Sequence, residues 1–346
     1  MKKPQFMKQP VMLKVVYSLI PVIIAGIFFF GWGVAAVTAV ALITALLTEW
    51  IMTSRRSAKI SYACFVTALI YAMSLPPLTP FWIVAVGAFV AVLFGKEVFG
   101  GFGRNVFNPA IVGRAFVYVA FPVELTSQFV PVFSGFPGGF ARWSIAGSSY
   151  AEGLASAGGL MPRDVITAAT PMLARRDYSF VTGTFDLFTG SIGGVFTADG
   201  GQRILAAGSI GEVSSIVLMI AGAYLLWTKT AQWRLTVSAV AGAVILNLVL
   251  HYLAGIEQVP PLEFTLFSGG LLYAAVFMVT DPISAPRDRI SQVIYGLFIG
   301  ALIVFFRFKS VFAGGVAFSI LFGNMTAPLI DQMVVRVRKR LKQGGV

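Results

Sequence analysis

Ten apolar runs dominate the sequence, and most of them approach the roughly 20 residues that a helix needs to cross the hydrocarbon core of a bilayer. A chain of 346 residues with so many such runs has little room for a soluble domain. We therefore predict an all-α, polytopic membrane protein with about ten transmembrane helices. The predicted spans are residues 15–31, 33–52, 61–75, 81–99, 109–121, 208–227, 235–253, 264–279, 291–306 and 311–333.

The composition agrees with a membrane protein and excludes several kinds of redox centre. Hydrophobic residues make up 57% of the chain and charged residues only 12%, about half the charged fraction of soluble proteins. The sequence contains one Cys (Cys64) and one His (His251). A four-cysteine iron–sulfur cluster, a bis-histidine haem or a zinc site of Cys and His ligands therefore cannot be built from this chain alone. We expect no metal site, and any redox group to be organic.

The distribution of Lys and Arg predicts the orientation in the membrane, because these residues concentrate in cytoplasmic loops. With the N-terminus inside, 18 of the 26 basic residues fall on the cytoplasmic side. The short outside loops 31–33, 76–80 and 254–263 contain none. Both termini are therefore predicted to be cytoplasmic. The net charge of +12 is explained by this topology, and no nucleic-acid partner is expected.

The spans divide the chain into three predicted parts. Residues 1–121 form a first five-helix repeat, residues 122–207 an extracytoplasmic segment, and residues 208–346 a second five-helix repeat with a basic cytoplasmic tail. Two pairs of stretches resemble each other: 67–80 with 271–286, and 105–111 with 324–330. Because five is odd, the second repeat must be inverted, an architecture that places interrupted helices near the midplane. The alternative is that Pro-containing loops recur by chance.

A short motif lies in the extracytoplasmic segment. Asp164-Val-Ile-Thr-Ala-Ala-Thr170 has the pattern D-x-x-[ST]-[GA]-A-T, in which the final threonine accepts FMN as a phosphoester. The chemistry needs a presentable hydroxyl, small residues before it and a nearby acid. The candidate flavin-site residues are Thr170, Asp164, Thr167 and Ala169. The alternative interpretation is an ordinary turn before Pro171.

The predicted topology supports the flavin interpretation. The segment from 122 to 207 lies outside, where the transferase that attaches FMN to this motif works in bacteria. Arg163, Arg175 and Arg176 flank the motif and are candidates to pair with the one negative charge that a phosphodiester retains. The long segment is expected to be an ordered loop, since a structureless run of this length is unusual.

Several stretches together resemble one family. They are 95–116 (GKEVFGGFGRNVFNPAIVGRAF), 208–212 (GSIGE), 280–286 (TDPISAP), 324–331 and the Asp164–Thr170 motif, in the family's order. The chain resembles two homologous membrane flavoproteins, the B subunit of Nqr and the D subunit of Rnf. The family's motif usually has Gly where this chain has Ala168. The sequence GKEVFGG resembles the Nqr type, whereas the short N-terminal segment resembles the Rnf type.

The resemblance implies a subunit of a bacterial inner-membrane complex that couples electron transfer to movement of Na⁺ or H⁺. The Nqr type passes electrons from NADH to quinone, and the Rnf type works between ferredoxin and NAD⁺. FMN on Thr170 would be a one-electron relay, with riboflavin as a second, non-covalent cofactor of the family. The implied partners are the other subunits of the complex, a flavin transferase and membrane lipid. The chain is expected to be part of a translocase without being catalytic alone.

Ionisable and amide side chains within or beside the spans are candidates for an ion path, because such residues are costly in a membrane. Each has an alternative structural role, such as an ion pair of Glu97 with Lys96 or Arg104 at the interface, a turn cap for Asp281, a pairing with Arg336 for Asp331, and helix caps for the asparagines. The candidates are Glu49, Glu97, Glu212, Asp281, Asp331, Asn105, Asn108 and Asn324.

Two functions from other classes also fit parts of the sequence. A secondary transporter or permease with no redox role would explain inverted repeats and acids within the spans, but it gives no reason for the motif at Thr170 to lie outside. A purely structural scaffold explains neither the acids nor the motif.

Overall fold

The computed structural model describes residues 5–146, 148–157, 159, 168–198, 200–309 and 315–343. Helices account for most of these residues, and every one of the ten predicted apolar segments contains helical structure. The α-helices are α1 (Pro10–Phe30), α2 (Gly33–Arg55), α3 (Ala63–Met73), α4 (Phe81–Val92), α5 (Pro109–Ala120), α6 (Pro122–Ser127), α7 (Ser149–Ala157), α8 (Pro171–Tyr178), α9 (Thr184–Thr189), α10 (Ser215–Trp227), α11 (Trp233–Leu248), α12 (Leu262–Phe267), α13 (Leu271–Tyr273), α14 (Arg289–Lys309) and α15 (Gly315–Gln343).

Five helical stretches of the described chain are long and apolar enough to cross a membrane: Pro10–Phe30, Gly33–Arg55, Trp233–Leu253, Arg289–Arg307 and Gly315–Leu341. Helices α3, α5 and α10 are apolar but shorter. The protein is thus a mostly helical, polytopic membrane protein, as predicted. The helices differ from ten uniform spans because some apolar segments form only short helices, several continue as π-helical turns, and the eighth is broken at Gly269.

The eighth predicted span is the clearest interruption. Helix α12 ends at Phe267, Ser268 is extended, and Gly269 has a φ of +61° before α13 begins. Only glycine adopts that backbone conformation without steric cost. Helix α13 then continues as a π-helical turn over Ala274–Met278. Helix α4 likewise continues as a π-helical turn over Leu93–Glu97, a geometry that is often found at functional sites.

The stretches that resemble each other in sequence meet in space. The side-chain oxygen of Asn324 accepts a hydrogen bond from the backbone N–H of Asn108 at 3.0 Å, and the Asn324 amide nitrogen donates to the Tyr295 hydroxyl at 2.7 Å. The Tyr273 hydroxyl donates to the carbonyl of Ile70 at 3.0 Å. Helices α1 and α10 also pack together. The two predicted halves are therefore joined through buried polar contacts.

Glycines allow α11 and α14 to pack closely. A Cβ atom on Gly300 would overlap the carbonyl oxygen of Ala239, and one on Gly296 would overlap the Ser238 side chain. On the facing helix, a Cβ atom on Gly242 would overlap backbone atoms of Leu297. Small residues of this kind let helix backbones approach each other in membranes, where van der Waals packing drives association.

The described residues of the polar segment from 122 to 207 form short helices and a hairpin. Strands β3 (Val195–Ala198) and β4 (Gly201–Ile204) pair antiparallel, while β1 (Phe6–Met7) and β2 (Ile60–Ser61) form a short parallel pair elsewhere. Backbone hydrogen bonds tie the segment to the bundle, among them Phe133 N–H to the Phe29 carbonyl at 2.9 Å.

Candidate functional site

The hairpin and helix α8 hold Thr170 in place. Its neighbour Ala169 forms a parallel bridge with Leu205, just after strand β4. In this bridge the Ala169 N–H donates to the Ile204 carbonyl at 3.2 Å, and the Ala169 carbonyl accepts from Ala206 N–H at 2.9 Å. The backbone is therefore fixed on one side of Thr170 by a strand and on the other by a helix.

Thr170 is the N-cap residue of α8. Its backbone is extended, with φ −66° and ψ 160°, and its hydroxyl oxygen accepts a long hydrogen bond of 3.4 Å from Leu173 N–H. Pro171 occupies the first helical position, where a proline has no N–H bond to lose. The Thr170 hydroxyl thus sits at the positive end of a helix, beside N–H groups without partners in the helix. A helix N-terminus of this kind favours an anionic group.

Thr170 lies in the wall of a cavity of about 670 Å³. The threonine itself is buried, with a relative exposure of 6%. The cavity is lined from helices α5, α8 and α14, from the break between α12 and α13, and from the turn before α10. The polar or charged residues of this lining are Arg114, Tyr118, Thr170, Ser209, Glu212 and Arg307.

A buried ion pair forms part of this wall. The Arg114 guanidinium contacts Glu212 Oε1 through both terminal nitrogens at 3.3 Å. Glu212 is the last residue of a 3₁₀ turn that lies between Gly208 and α10. It therefore lies outside the regular helix of the sixth span. A Cβ atom on Gly270 would come within 2.6 Å of Glu212 Oε1. The glycine at the helix break therefore gives the carboxylate the space that it occupies.

Arg307 links this cavity to a second one. Its guanidinium donates to the carbonyls of Thr265 at 3.0 Å and Ser268 at 3.1 Å, at the end of α12. The second cavity, of about 1360 Å³, is also lined by Arg307, together with Arg175, Arg176 and Lys309. A hydrogen bond to Asp177 raises the pKa of the Arg176 guanidinium.

The structure describes only some of the predicted flavin-site residues. Ala168, Ala169 and Thr170 lie together next to the hairpin, whereas Asp164, Thr167 and Arg163 lie outside the described residues. Arg175 and Arg176 line the larger cavity, while the arginines in the wall beside Thr170 are Arg114 and Arg307.

A buried polar network contains two of the predicted ion-path residues. Lys96 Nζ lies 2.5 Å from Glu49 Oε2 and donates to the Ser61 hydroxyl at 2.6 Å. Glu49 Oε1 accepts from both Ser61 N–H and the Ser61 hydroxyl, at 2.8 and 2.9 Å. Glu97 forms an ion pair with Arg56, and its Oε1 lies 4.0 Å from Lys96 Nζ without a hydrogen-bond partner in the described chain. Glu97 was expected to pair with Lys96 or Arg104 at the interface, whereas it is buried, its ion pair is made with Arg56, and Lys96 stands only at the edge of ion-pairing distance.

The remaining candidates occupy other places. Asn105, Asn108 and Asp281 line a third cavity, of about 700 Å³, together with Lys96. The carboxylate of Asp281 accepts hydrogen bonds from the N–H and the hydroxyl of Ser284. It therefore caps the turn, which was the alternative role expected for it. This cavity therefore joins one acid and two amides to the buried Lys96 network.

The asparagines and Asp331 act mainly through backbone groups. Asn108 caps α5 through Ala110 N–H at 3.0 Å and donates to the Met278 carbonyl at 3.1 Å. Asp331 accepts from the N–H groups of Arg287 and Asp288, at 3.1 and 3.4 Å. Among the residues that the structure describes, no group of three His, Cys, Asp or Glu side chains is placed to hold a metal ion.

Comparison with known proteins establishes the family. The model of the NQR2, RnfD, RnfE family matches residues 3–339, which is nearly the whole chain. The protein belongs to this family. The resemblance inferred from the sequence motifs is therefore confirmed.

Relatives of both types are found within the family. The B subunit of a Na⁺-translocating NADH-quinone reductase from Azotobacter vinelandii is 34% identical over 311 residues, covering 88% of this chain and 68% of the relative. The D subunit of a proton-translocating ferredoxin:NAD⁺ oxidoreductase complex from Clostridium ljungdahlii is 34% identical over 335 residues, covering 95% and 90%. The D subunit of an ion-translocating oxidoreductase complex from Mannheimia succiniciproducens is 30% identical over 344 residues, covering 93% and 91%.

Two residues of the cavity wall were not predicted from the sequence. Arg114 lies in an apolar span, and a charged residue in such a position is itself a signal of function or pairing. Arg307 directly follows the ninth predicted span, and no local pattern in the sequence indicates that its side chain contacts the end of α12. Only the tertiary fold brings Arg307 to the same cavity as Thr170.

Proposed function

We propose that this protein is the membrane subunit of an Rnf- or Nqr-type ion-translocating oxidoreductase complex and carries FMN as a phosphoester on Thr170. The observation that carries the proposal is the position of Thr170 as a helix N-cap in the wall of a cavity with basic residues. The names of the family relatives, all subunits of ion-translocating oxidoreductases, support the same assignment.

The residues present fit a phosphoester. The first N–H groups of α8 and the positive end of its dipole face the ester position, and these favour an anion there. Arg114 and Arg307 contribute positive charge to the same wall, against one carboxylate from Glu212. The cavity carries a net charge of the sign opposite to that of a phosphodiester. A tether at Thr170 would leave the flavin ring free of covalent contact.

The protein's part in the reaction is then to hold and orient the cofactor. When bound, the flavin supplies one-electron redox chemistry, and the protein supplies position and electrostatics. Thr170 fixes the point of attachment, and the buried Arg114–Glu212 pair keeps the wall of the cavity polar. Electron donors and acceptors would be held by partner subunits, with riboflavin as a further non-covalent cofactor of this chain. A flavin transferase would install the ester.

Ion coupling is the second part of the proposal. Glu212 lies beside Thr170, while Glu49, Glu97, Asp281 and the asparagines lie in and around the buried Lys96 network. Acidic side chains in both places would bind a cation or proton whose movement is coupled to electron transfer. Na⁺-dependent turnover of a Glu97→Gln protein with its flavin attached tests this part, and unchanged sodium dependence would remove Glu97 from the path.

The proposed location is the bacterial inner membrane, with both termini in the cytoplasm and residues 122–207 outside. The excess of Lys and Arg in the loops assigned to the cytoplasm supports this orientation. In this orientation Thr170 lies on the side where the transferase would act.

The covalent flavin is tested by in-gel fluorescence of the denatured protein after co-expression with the flavin transferase. We expect a fluorescent band from the wild type and none from Thr170→Val, because valine keeps the shape of threonine but has no hydroxyl to esterify. Thr184→Val is the matched control: Thr184 is exposed in the same polar segment, and its replacement should leave the band unchanged.

The same gel distinguishes the rival function. A secondary transporter with no redox role would show no covalent fluorescence in the wild type. That result, obtained in cells with an active transferase, would contradict the redox assignment and favour the transporter.

A further inference from the structure

We propose that Arg307 is the positioning residue for the tethered flavin: its guanidinium neutralises the phosphodiester and holds the cofactor against the break between α12 and α13. This inference rests on the proposed function. It differs from the pattern expected from sequence, which pointed to Arg163, Arg175 and Arg176.

The charges of the cavity single out Arg307. Arg114 is already compensated by Glu212, whose single oxygen Oε1 accepts from both terminal nitrogens of the guanidinium at 3.3 Å. Within the described part of the chain, no carboxylate lies within ion-pairing distance of Arg307, which bonds only to backbone carbonyls. The three charged side chains of the wall thus leave one net positive charge. A phosphodiester retains one negative charge, so the two match.

Short contacts connect Arg307 to the attachment point. Two residues after Thr170, the Met172 sulfur accepts a hydrogen bond from the Ser268 hydroxyl at 3.2 Å. The carbonyl of the same Ser268 accepts from Arg307 at 3.1 Å. A Cβ atom on Gly269 would lie 3.1 Å from Arg307 Nη2 and 3.7 Å from Met172 Cγ. The N-terminus of α8 and the Arg307 guanidinium therefore pack on the same two residues of the helix break.

The geometry of Arg307 suits a fixed anion contact. Two carbonyls at the C-terminal end of α12 hold the guanidinium, where the partial negative charge of the helix end favours a cation. A guanidinium has more N–H donors than these two bonds use, and its planar fork matches phosphate oxygens. Lysine would keep the charge but lose the fork.

The location between two cavities gives Arg307 a specific role. Among the described residues, Met172 and Arg307 alone line both the cavity of Thr170 and the larger cavity of about 1360 Å³. An anion held by Arg307 is kept at this boundary. Without it, the tether can swing, and the flavin becomes more accessible to solvent.

The test compares Arg307→Gln with Lys309→Gln in the full-length protein co-expressed with the transferase. Both changes remove one positive charge from the same end of α14, but Lys309 lines only the larger cavity. The readout is the acrylamide quenching of native flavin fluorescence, after in-gel fluorescence has established that each protein carries covalent flavin. Acrylamide is neutral, so the lost charge does not itself change the quencher concentration.

We expect Arg307→Gln to raise the quenching constant roughly threefold or more over the wild type, because a charge-assisted contact is lost. Lys309→Gln should match the wild type, and Arg307→Lys should fall between. The midpoint potential of the flavin should also shift to lower values in Arg307→Gln alone, since a positive charge favours the reduced, more anionic cofactor.

The outcomes separate this inference from the function that it rests on. Wild-type protein without covalent flavin contradicts the proposed function. Covalent flavin whose quenching and potential are the same in the Arg307 and Lys309 variants contradicts the role of Arg307 alone. If Arg307→Gln does not fold, the Arg307→Lys protein decides, because a quenching constant equal to that of the wild type would overturn the role of the guanidinium fork.

Discussion

At the scale of single residues, the Glu49–Lys96 pair is the most costly feature to bury. Both side chains are only 2% exposed, and desolvating two charges costs several kcal/mol each unless they are well bonded. Ser61 supplies that bonding by contacting both partners. A carboxylate and a hydroxyl therefore surround the buried amino group of Lys96.

Breaking this pair from one side should destabilise the protein strongly. We expect Glu49→Gln or Lys96→Met to lower the free energy of unfolding by about 3–5 kcal/mol, since each leaves an uncompensated buried charge. The double variant Glu49→Gln/Lys96→Met should recover much of this loss. Thermal unfolding of the purified protein in one detergent measures all three, and additive losses in the double variant would contradict the coupling.

The residues of the candidate site were predictable to different degrees. Thr170 was accessible to sequence reasoning because its chemistry is encoded in seven consecutive residues. Arg114 and Arg307 belong to spans far away in the chain, and a contact between distant segments leaves no local pattern. The same limit applies to Lys96, whose partner Glu49 lies on another helix.

At the scale of helices, the sequence predicted where helices occur better than how they end. Each of the ten predicted apolar runs contains helical structure, because burial in lipid requires internally bonded backbone. The break at Gly269 and the π-helical turns at Leu93–Glu97 and Ala274–Met278 were not predicted in detail. Such irregularities depend on which neighbour satisfies the released backbone groups, as Asn108 does for Met278.

The contact between α11 and α14 gives a prediction at this scale. We expect Gly300→Ala to destabilise the protein by about 1–3 kcal/mol, because the added methyl group overpacks a close helix interface. Thermal unfolding in detergent measures the effect. Gly153→Ala is the control, since a Cβ atom there meets nothing within 4 Å in helix α7. An equal effect of the two changes would show that helix propensity, and not packing, is responsible.

At the scale of the whole molecule, the charge pattern predicts which regions share a side of the membrane. The fold offers a direct way to measure this, because its single cysteine, Cys64, is buried and should not react. Cysteines introduced at the exposed positions Ser156 and Arg340 then report on the polar segment and the C-terminal helix.

We expect a membrane-impermeant maleimide to label Ser156→Cys in intact spheroplasts and Arg340→Cys only after lysis. The physical reason is the retention of Lys and Arg on the cytoplasmic side during insertion. The unmodified protein, with Cys64 alone, is the background control. Labelling of Arg340→Cys in intact spheroplasts would reverse the proposed orientation.

The hydrogen bond between Asn108 and Asn324 restricts how the two predicted halves can move. Asn108 spans from its own helix cap to the Met278 carbonyl, and Asn324 extends the chain of bonds to Tyr295. If one half slid past the other, several of these buried polar groups would lose their hydrogen-bond partners. Each loss would cost about 1–3 kcal/mol. Tilting about the asparagines would leave them intact. We therefore expect any gating motion of the bundle to be a rocking motion about these asparagines.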